Sequence, residues 1–315
     1  MKRRITASAI LLVTAIIWGF SFIAQILGGD HVDTFTFNSL RFLLGGALLI
    51  PLYLIAERER ESTAEERRAR RKKTAIAALV CGLCLFVAIS FQQLGTSLTR
   101  DPAKAGFITG LYTVLTPILY LVLFRKKSGW NVWIGGLLAA GGLCLLCLRE
   151  GSGFSLGWGE GVLLIGSVFW ALHILIVGRF AEGISLLRFS AWQFLIAGGL
   201  SLIAALIFGD STWSDIWQAK WSILFCGVFS VGVAFTLQTV GQRYTEPTHA
   251  AIIFSTEAVF AALGGLLWNL ITPPHLHVAQ EILPIGYLGC ALMLAGIILS
   301  QLHIRLPRRE SSQKT

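Results

Sequence analysis

Long apolar runs follow one another along almost the whole chain and restrict its fold more than any other feature. Each run has about 20 mostly uncharged residues, enough at about 1.5 Å per residue to cross roughly 30 Å of hydrocarbon. They predict ten membrane spans, numbered spans 1 to 10, at residues 7–27, 34–56, 73–95, 103–124, 130–148, 159–180, 187–208, 221–242, 247–270 and 282–303. The expected fold is therefore an all-α polytopic membrane protein.

Lys and Arg residues alternate between the gaps that separate these spans. Twenty-one of the 26 fall in the gaps of one side and four in the alternate gaps, while Arg41 lies inside span 2. Because Lys and Arg concentrate in cytoplasmic loops, this pattern predicts that both termini and the mixed-charge gap 57–73 are cytoplasmic. It also accounts for the net charge of +9 without nucleic-acid binding.

The polar residues left outside the spans are too few for a separate catalytic domain. The gap 57–73 reads as a solvated linker that pairs such as Glu66–Arg70 could make helical. Trp213, Trp217 and Trp221 recur every four residues and predict an amphipathic turn in the outer headgroup layer.

Two CxxC pairs, Cys81/Cys84 and Cys144/Cys147, fall inside spans, where close helix packing is expected rather than a metal site. No metal or cofactor is expected.

The two halves of the chain repeat each other. Trp18-Gly-Phe-Ser21 and Arg41 match Trp170-Ala-Leu-His173 and Gln193 at an offset of 152, and Gln93 matches Gln238 at an offset of 145. We therefore expect residues 1–150 and 151–315 to be two five-helix repeats, the second with a cytoplasmic tail. Because five is odd, the second repeat must enter the membrane from the opposite side. Inverted repeats of this kind are typical of secondary transporters.

The same segments resemble the EamA-type ten-helix members of the drug/metabolite transporter superfamily. The resemblance is carried, in order and in duplicate, by Ile17-Trp-Gly-Phe-Ser-Phe22, Asn38-Ser-Leu-Arg-Phe42, Leu115-Thr-Pro-Ile118 and Thr256-Glu-Ala-Val-Phe-Ala261. It implies a plasma-membrane exporter or exchanger of amino acids, other small metabolites or drugs.

Glu257 is the leading candidate for a functional side chain. It lies ten residues beyond Pro247, a good first residue for a helix, which places it about 15 Å deep, near the bilayer centre. Tyr112 lies ten residues beyond Pro102 and is its repeat mate. An ionised carboxylate at this depth costs several kcal/mol unless it is paired, hydrated or protonated. Glu257 could bind a substrate amine or carry a coupling proton; alternatively, it could hold two helices together.

Six further residues complete the candidate substrate or coupling site, with Glu257 as the seventh. Arg41 could bind a substrate carboxylate, or it could anchor backbone carbonyls or headgroups. His173 could relay protons with Glu257 or form a hydrogen bond between helices. Trp18, Trp170 and Tyr112 could wall a cavity for cationic or aromatic ligands, or simply pack. Two polar stripes at helical spacing extend this set. The stripe on span 1 consists of Thr14, Trp18, Ser21 and Gln25, and the stripe on span 4 consists of Thr109, Tyr112, Thr113 and Thr116.

Together these features predict a secondary transporter rather than an enzyme, working by alternating access around a polar cavity at the midplane. No GxxxxGK[ST] motif occurs, so gradients of substrate or protons are the expected energy source. The expected partners are a small-molecule substrate and the lipid bilayer. The Gly106/Gly110 pair fits close contact within the bundle or between two copies in a homodimer. A lipid-modifying membrane enzyme and a passive channel are the alternatives.

Overall fold

The computed structural model describes residues 2–58, 63–146, 157–278 and 284–301, and all regular structure in these ranges is helical. Eight helices are long and apolar enough to cross a membrane: Ile5–Gly29, Thr34–Ala56, Ala64–Thr99, Pro102–Phe124, Trp158–Phe180, Leu186–Phe208, Lys220–Gln242 and Pro247–Ile271. Two shorter apolar helices, Trp130–Leu145 and Pro284–Ser300, lie where spans 5 and 10 are predicted. The polytopic all-α prediction is confirmed, while membrane crossing by all ten helices and the cytoplasmic termini stay predictions.

Span 3 begins earlier than predicted, at Ala64 instead of residue 73. The reason is a capping box. The Glu66 backbone N–H donates to the Thr63 hydroxyl, and the Thr63 backbone N–H donates back to the Glu66 carboxylate. Much of the predicted cytoplasmic linker is therefore a helical extension of span 3, and residues 59–62 lie outside the described ranges.

Three spans are interrupted near their middle. Span 4 is divided into Pro102–Gly110 and Tyr112–Phe124, and span 9 into Pro247–Phe254 and Glu257–Ile271. Span 8 contains the π-helical stretch Cys226–Phe235 between two α-helical ends. At such interruptions the backbone departs from regular α-helical hydrogen bonding. π segments in particular often coincide with functional sites.

Helices of the first half of the chain pack against helices of the second half. Span 2 packs against span 7, span 5 against span 10, and span 4 against span 9, so that repeat mates contact each other. Span 1 contacts spans 8 and 9, and its mate, span 6, contacts spans 3 and 4 in the same way. These contacts join helices of the first predicted repeat to helices of the second.

Close approaches at glycines show the same packing between the two halves in atomic detail. A Cβ atom placed on Gly46 would lie 2.8 Å from Leu195 Cγ, and one on Gly198 would lie 2.8 Å from the Leu43 backbone nitrogen. Both pairs are related by the offset of 152, so spans 2 and 7 approach through equivalent small residues. In span 4, a Cβ on Gly106 would lie 3.0 Å from Ala258 Cα in span 9. The GxxxG pair thus makes a close contact within the bundle.

Two features lie on the predicted outer side. The short helix Trp213–Gln218 carries Trp213 and Trp217, and with Trp221 these rings are 62–78% exposed, as the amphipathic prediction requires. Ion pairs join the ends of spans 1 and 3 through Asp30 and Arg100, and the ends of spans 4 and 6 through Lys104 and Glu160.

The burial of Cys81 and Cys84 fits the packing prediction, whereas the exposure of Cys144 does not. Cys81 is fully buried between apolar side chains, Cys84 is partly buried and Cys144 is exposed, and all three are free thiols. Cys147 lies outside the described residues.

Candidate substrate-binding site

The candidate site is a buried cavity between spans 1, 2, 3, 4, 6, 8 and 9. Its walls are formed by Trp18, Ser21, Phe22, Gln25, Arg41, Phe42, Ile89, Gln92, Thr109, Tyr112, Trp170, Ile174, Ser230, Phe235 and Glu257. Residues from spans 1, 2 and 3 place it between the middle of the bundle and the predicted outer side. Its volume is about 20 Å³, room for roughly one water molecule, so this conformation is closed in the sense that the site is too small for a metabolite.

Glu257 and Tyr112 meet where spans 4 and 9 are interrupted. The Tyr112 hydroxyl donates a hydrogen bond of 2.9 Å to Glu257 Oε1. Each residue is the first of the second helix in its span, and their side chains are 2% and 3% exposed. The repeat mates predicted at equal depth from opposite faces therefore touch each other. The carboxyl group has a neutral donor, and no salt bridge to it exists in the described part of the chain.

Arg41 is the cationic group of the cavity. Its Nε and Nη2 atoms donate to Asn38 Oδ1 over 3.0 and 2.7 Å, and its guanidinium lies 5.2 and 5.1 Å from the ring centres of Phe37 and Phe42. The residue is 2% exposed. Within the described ranges no carboxylate pairs with it. The cavity therefore contains one buried acid and one buried base, neither neutralised by a salt bridge.

Aromatic rings form the floor of the cavity. Trp18 lies 6.1 Å from Trp170, 4.7 Å from Phe235 and 5.3 Å from Phe254, measured between ring centroids. Its indole N–H donates to the Ser230 carbonyl over 3.3 Å, which fixes the ring against span 8. Offset and edge contacts of this kind make a rigid apolar surface suited to the carbon skeleton of a metabolite.

Several polar atoms on the cavity wall make no hydrogen bond within the described structure. They are Gln25 Oε1, Thr109 Oγ1 and Trp170 Nε1. A buried donor or acceptor without a partner costs about 1–3 kcal/mol. One donor, one acceptor and one hydroxyl are thus left to interact with a substrate, beside the acid and the base.

Six of the seven predicted site residues line this cavity, and His173 is the exception. Its Nε2 atom lies 3.2 Å from Gln193 Oε1 on span 7, and its ring contacts Trp170 edge-on. Of the two interpretations of His173, the hydrogen bond between helices is the one observed. Gln93 likewise joins helices, its side-chain amide donating to the Gln25 carbonyl over 2.9 Å, whereas the side-chain amide of Gln238 makes no hydrogen bond in the described residues.

Sequence reasoning missed part of the wall. Gln92 lines the cavity although its neighbour Gln93 was the residue singled out. Ser230 could have been found, because it is a polar residue ten positions into the apolar span 8. Phe235, Phe42 and Ile174 carry no signal that separates them from other apolar residues of a span.

Apolar helices packed around a closed polar cavity define a multi-pass transmembrane protein of the transporter class. A model of the EamA-like transporter family matches residues 5–148 and again residues 157–302. The chain therefore belongs to the EamA-like transporter family.

Relatives over nearly the whole chain are also named transporters. An uncharacterized transporter of Archaeoglobus fulgidus is 26% identical over 96% of this chain and 88% of its own. A biotin transporter of Salmonella typhimurium is 24% identical over 92% and 91%. A crystal structure of a protein that is 20% identical has a TM-score of 0.70 over 94% of this chain and 96% of that one, which shows a shared fold.

Proposed function

We propose that the protein is a secondary transporter, an exporter or exchanger that moves small metabolites across the plasma membrane by alternating access. Two inverted five-helix repeats, residues 1–150 and 151–315, would rock around the cavity, with both termini in the cytoplasm. The family match over two ranges, the helix contacts between the two halves and the charge distribution support this arrangement.

The observation that carries the proposal is one buried acid and one buried base in the same cavity, neither with a salt-bridge partner in the described residues. A carboxylate would accept hydrogen bonds from Arg41 in the charge-assisted, two-point geometry that guanidinium groups favour. An ammonium group would pair with ionised Glu257. A zwitterion, of which amino acids are the simplest, satisfies both charges, and the ring surface at Trp18 contacts its apolar part.

Glu257 is also the candidate for coupling to protons. Within the described residues its one donor is the neutral Tyr112, and no cation there holds Glu257 ionised, so its charge would change with substrate occupancy or protonation. Transport would then need Glu257 ionised in one step and neutral in another. The energy would come from gradients of substrate or protons.

Counterflow in proteoliposomes tests the proposal. Wild-type protein is expected to exchange at least one member of a panel of radiolabelled amino acids. Biotin is included in the panel because some relatives are named biotin transporters. Glu257→Gln keeps the hydrogen-bonding shape but not the charge. It should lower counterflow at least about tenfold, or about 1.4 kcal/mol in the barrier, and flatten its dependence on pH.

The matched control is Glu246→Gln. Glu246 immediately precedes the same span, as the N-cap of its first helix, and its side chain is 60% exposed. The exchange rate of this variant should therefore stay within about twofold of the wild-type rate. If Glu257→Gln left both the rate and the pH profile unchanged, its assigned role would be wrong. If the wild-type protein moved no solute of a broad metabolite panel, the transporter proposal itself would fail.

A further inference from the structure

A second group of buried polar side chains lies beyond the floor of the cavity, toward the predicted cytoplasmic side. His173, Gln193 and Gln238, here called the inner cluster, come from spans 6, 7 and 8 and are each 0% exposed. A hydrogen bond of 3.4 Å from Ser190 to Thr239 joins spans 7 and 8 beside them. None of the three lines the cavity of the closed structure.

Hydrogen bonding within the inner cluster is incomplete. His173 and Gln193 bond to each other, but His173 Nδ1, Gln193 Nε2 and both amide atoms of Gln238 make no hydrogen bond in the described residues. Each such atom costs about 1–3 kcal/mol when buried. A role in joining helices explains the hydrogen bond between His173 and Gln193. It does not explain the four polar atoms that have no partner in the described residues.

The inner cluster occupies positions equivalent to the cavity wall in the other repeat. His173 is the mate of Ser21 and Gln193 the mate of Arg41, while Gln238 is the mate of Gln93, the neighbour of the cavity residue Gln92. Arg41 lies seven residues after Thr34, where span 2 begins, and Gln193 seven residues after Leu186, where span 7 begins. Both are therefore about 10 Å from the start of their helix, at opposite ends of the bundle.

Two aromatic side chains that line the cavity, Trp170 and Phe235, meet the His173 ring edge-on and separate the cavity from the inner cluster. Phe235 lines the cavity, stacks on Trp170 at 5.7 Å and meets the His173 ring edge-on at 6.3 Å. It is the last residue of the π-helical stretch Cys226–Phe235. A change from π to α geometry in this stretch would rotate Phe235 relative to spans 6 and 7.

We propose that the inner cluster is the cytoplasmic half of the substrate site, exposed when the bundle opens inward and Phe235 moves aside. This inference rests on the proposed alternating access. The inner cluster offers neutral amide and imidazole groups, so it would hold hydrogen-bonding groups of the substrate. It would bind a carboxylate more weakly than Arg41 does, because charge-assisted hydrogen bonds are roughly twice as strong as neutral ones.

Thiol accessibility tests this inference without knowledge of the substrate. In a cysteine-free background that retains counterflow, Gln238→Cys is compared with Ala77→Cys, a control equally buried at 0% in span 3 and outside both polar groups. The probe is a membrane-impermeant trimethylammonium methanethiosulfonate, applied to inside-out and right-side-out vesicles.

Gln238→Cys should react from the cytoplasmic side at least about tenfold faster than Ala77→Cys. An inward-open state that holds even a few per cent of the molecules is enough for this difference. Gln92→Cys should react from the outer side. Gln193→Cys serves as a second reporter if Gln238→Cys does not fold.

The outcomes separate the two proposals. If a background that exchanges solute leaves Gln238→Cys and Gln193→Cys no more reactive than the control from the cytoplasmic side, this inference is overturned and the transporter stands. Reaction of Gln238→Cys from the outer side alone would also overturn it. Failure of the wild-type protein to exchange any solute would instead overturn the proposed function.

Discussion

Arg41 shows how single side chains prepare the cavity for a ligand. Its Nε and Nη2 atoms both donate to one neutral acceptor, Asn38 Oδ1, and the rings of Phe37 and Phe42 flank the guanidinium. Asn38 is itself held, because its amide donates to the Ile89 carbonyl over 3.1 Å. The guanidinium is thus oriented without being neutralised. Since an uncompensated buried charge is costly, an anionic ligand group gains most by binding there.

We expect Arg41→Gln to weaken binding of carboxylate ligands at least about tenfold, because it removes a charge-assisted hydrogen bond worth about 1.5–3 kcal/mol. The primary amide of the same ligand should lose less than about twofold. Isothermal titration of the purified protein with both ligands measures the difference. Arg243→Gln, at the end of span 8 and outside the cavity, is the control. Equal losses for the acid and its amide would show that Arg41 has only a packing role.

The candidate site could be predicted from the sequence only where a polar residue interrupts an apolar run. Glu257 and Tyr112 followed from their distance to a proline, and Arg41 from being the one cation inside a span. Phe235 could not be found, because nothing in one sequence distinguishes an aromatic barrier from a lipid-facing ring. The choice between Gln92 and Gln93 depends on the rotation of span 3, which neighbouring helices determine.

At the scale of helices, Asp33 fixes the beginning of span 2. Its Oδ1 atom accepts hydrogen bonds from the backbone N–H groups of Phe35 and Thr36, and its Oδ2 atom from the hydroxyl of Ser211 before span 8. Burial opposes ionisation of this carboxyl, yet hydrogen bonds from Thr36, Ser211 and Phe35 outweigh it and lower the pKa of Asp33. The residue caps one helix and ties it to another loop.

Asp33→Ala should therefore lower the free energy of unfolding by about 1 kcal/mol, the usual cost of losing an N-cap. Because the pKa is lower in the folded state, the stabilisation is complete above about pH 4 and is lost as pH falls through the folded pKa. Thermal unfolding in detergent at pH 7 and pH 3 should show a smaller difference between Asp33→Asn and wild type at pH 3. The exposed neighbour Asp210, changed to Ala, should have no effect at either pH.

Close helix contacts are best tested at two adjacent glycines of span 5. A Cβ on Gly142 would lie 2.4 Å from the Gly289 carbonyl oxygen in span 10, whereas one on Gly141 would meet nothing within 4 Å. Gly142→Ala should cost about 1–3 kcal/mol through overpacking. Gly141→Ala should be neutral or stabilising by up to about 1 kcal/mol, because alanine favours helix. Melting temperatures of the two variants give the comparison, and equal values would contradict the contact between spans 5 and 10.

At the scale of the whole molecule, the positions of the helices could be predicted and their interruptions could not. Hydropathy located an apolar helix at every predicted span, but it placed the start of span 3 nine residues late because a charged helical extension has no apolar signal. Spans 4 and 9 break at Leu111 and at Ser255–Thr256, which are not helix-breaking residues, while Pro51 and Pro117 lie inside unbroken helices. The breaks therefore do not follow the prolines, and at the break of span 9 the hydroxyls of Ser255 and Thr256 donate to the carbonyls of Ile252 and Ile253.

The inverted arrangement makes a final prediction about loops related by the repeat. His31, between spans 1 and 2, and Glu182, between spans 6 and 7, are both exposed and lie one residue from equivalence at the offset of 152. Five helices separate equivalent loops, so these must lie on opposite sides of the membrane, with Glu182 on the side rich in Lys and Arg. In the cysteine-free background, an impermeant maleimide should label His31→Cys in intact cells and Glu182→Cys only after permeabilisation.

Labelling of both positions from the same side would rule out an inverted repeat whatever the substrate is. Labelling of Glu182→Cys alone in intact cells would keep the inverted repeat and reverse its orientation, so that the basic loops lay outside. That result would contradict the charge distribution, because the cost of translocating the many Lys and Arg residues of that side is what fixes the orientation of the first repeat. The second repeat carries fewer of these charges and is oriented through its packing against the first.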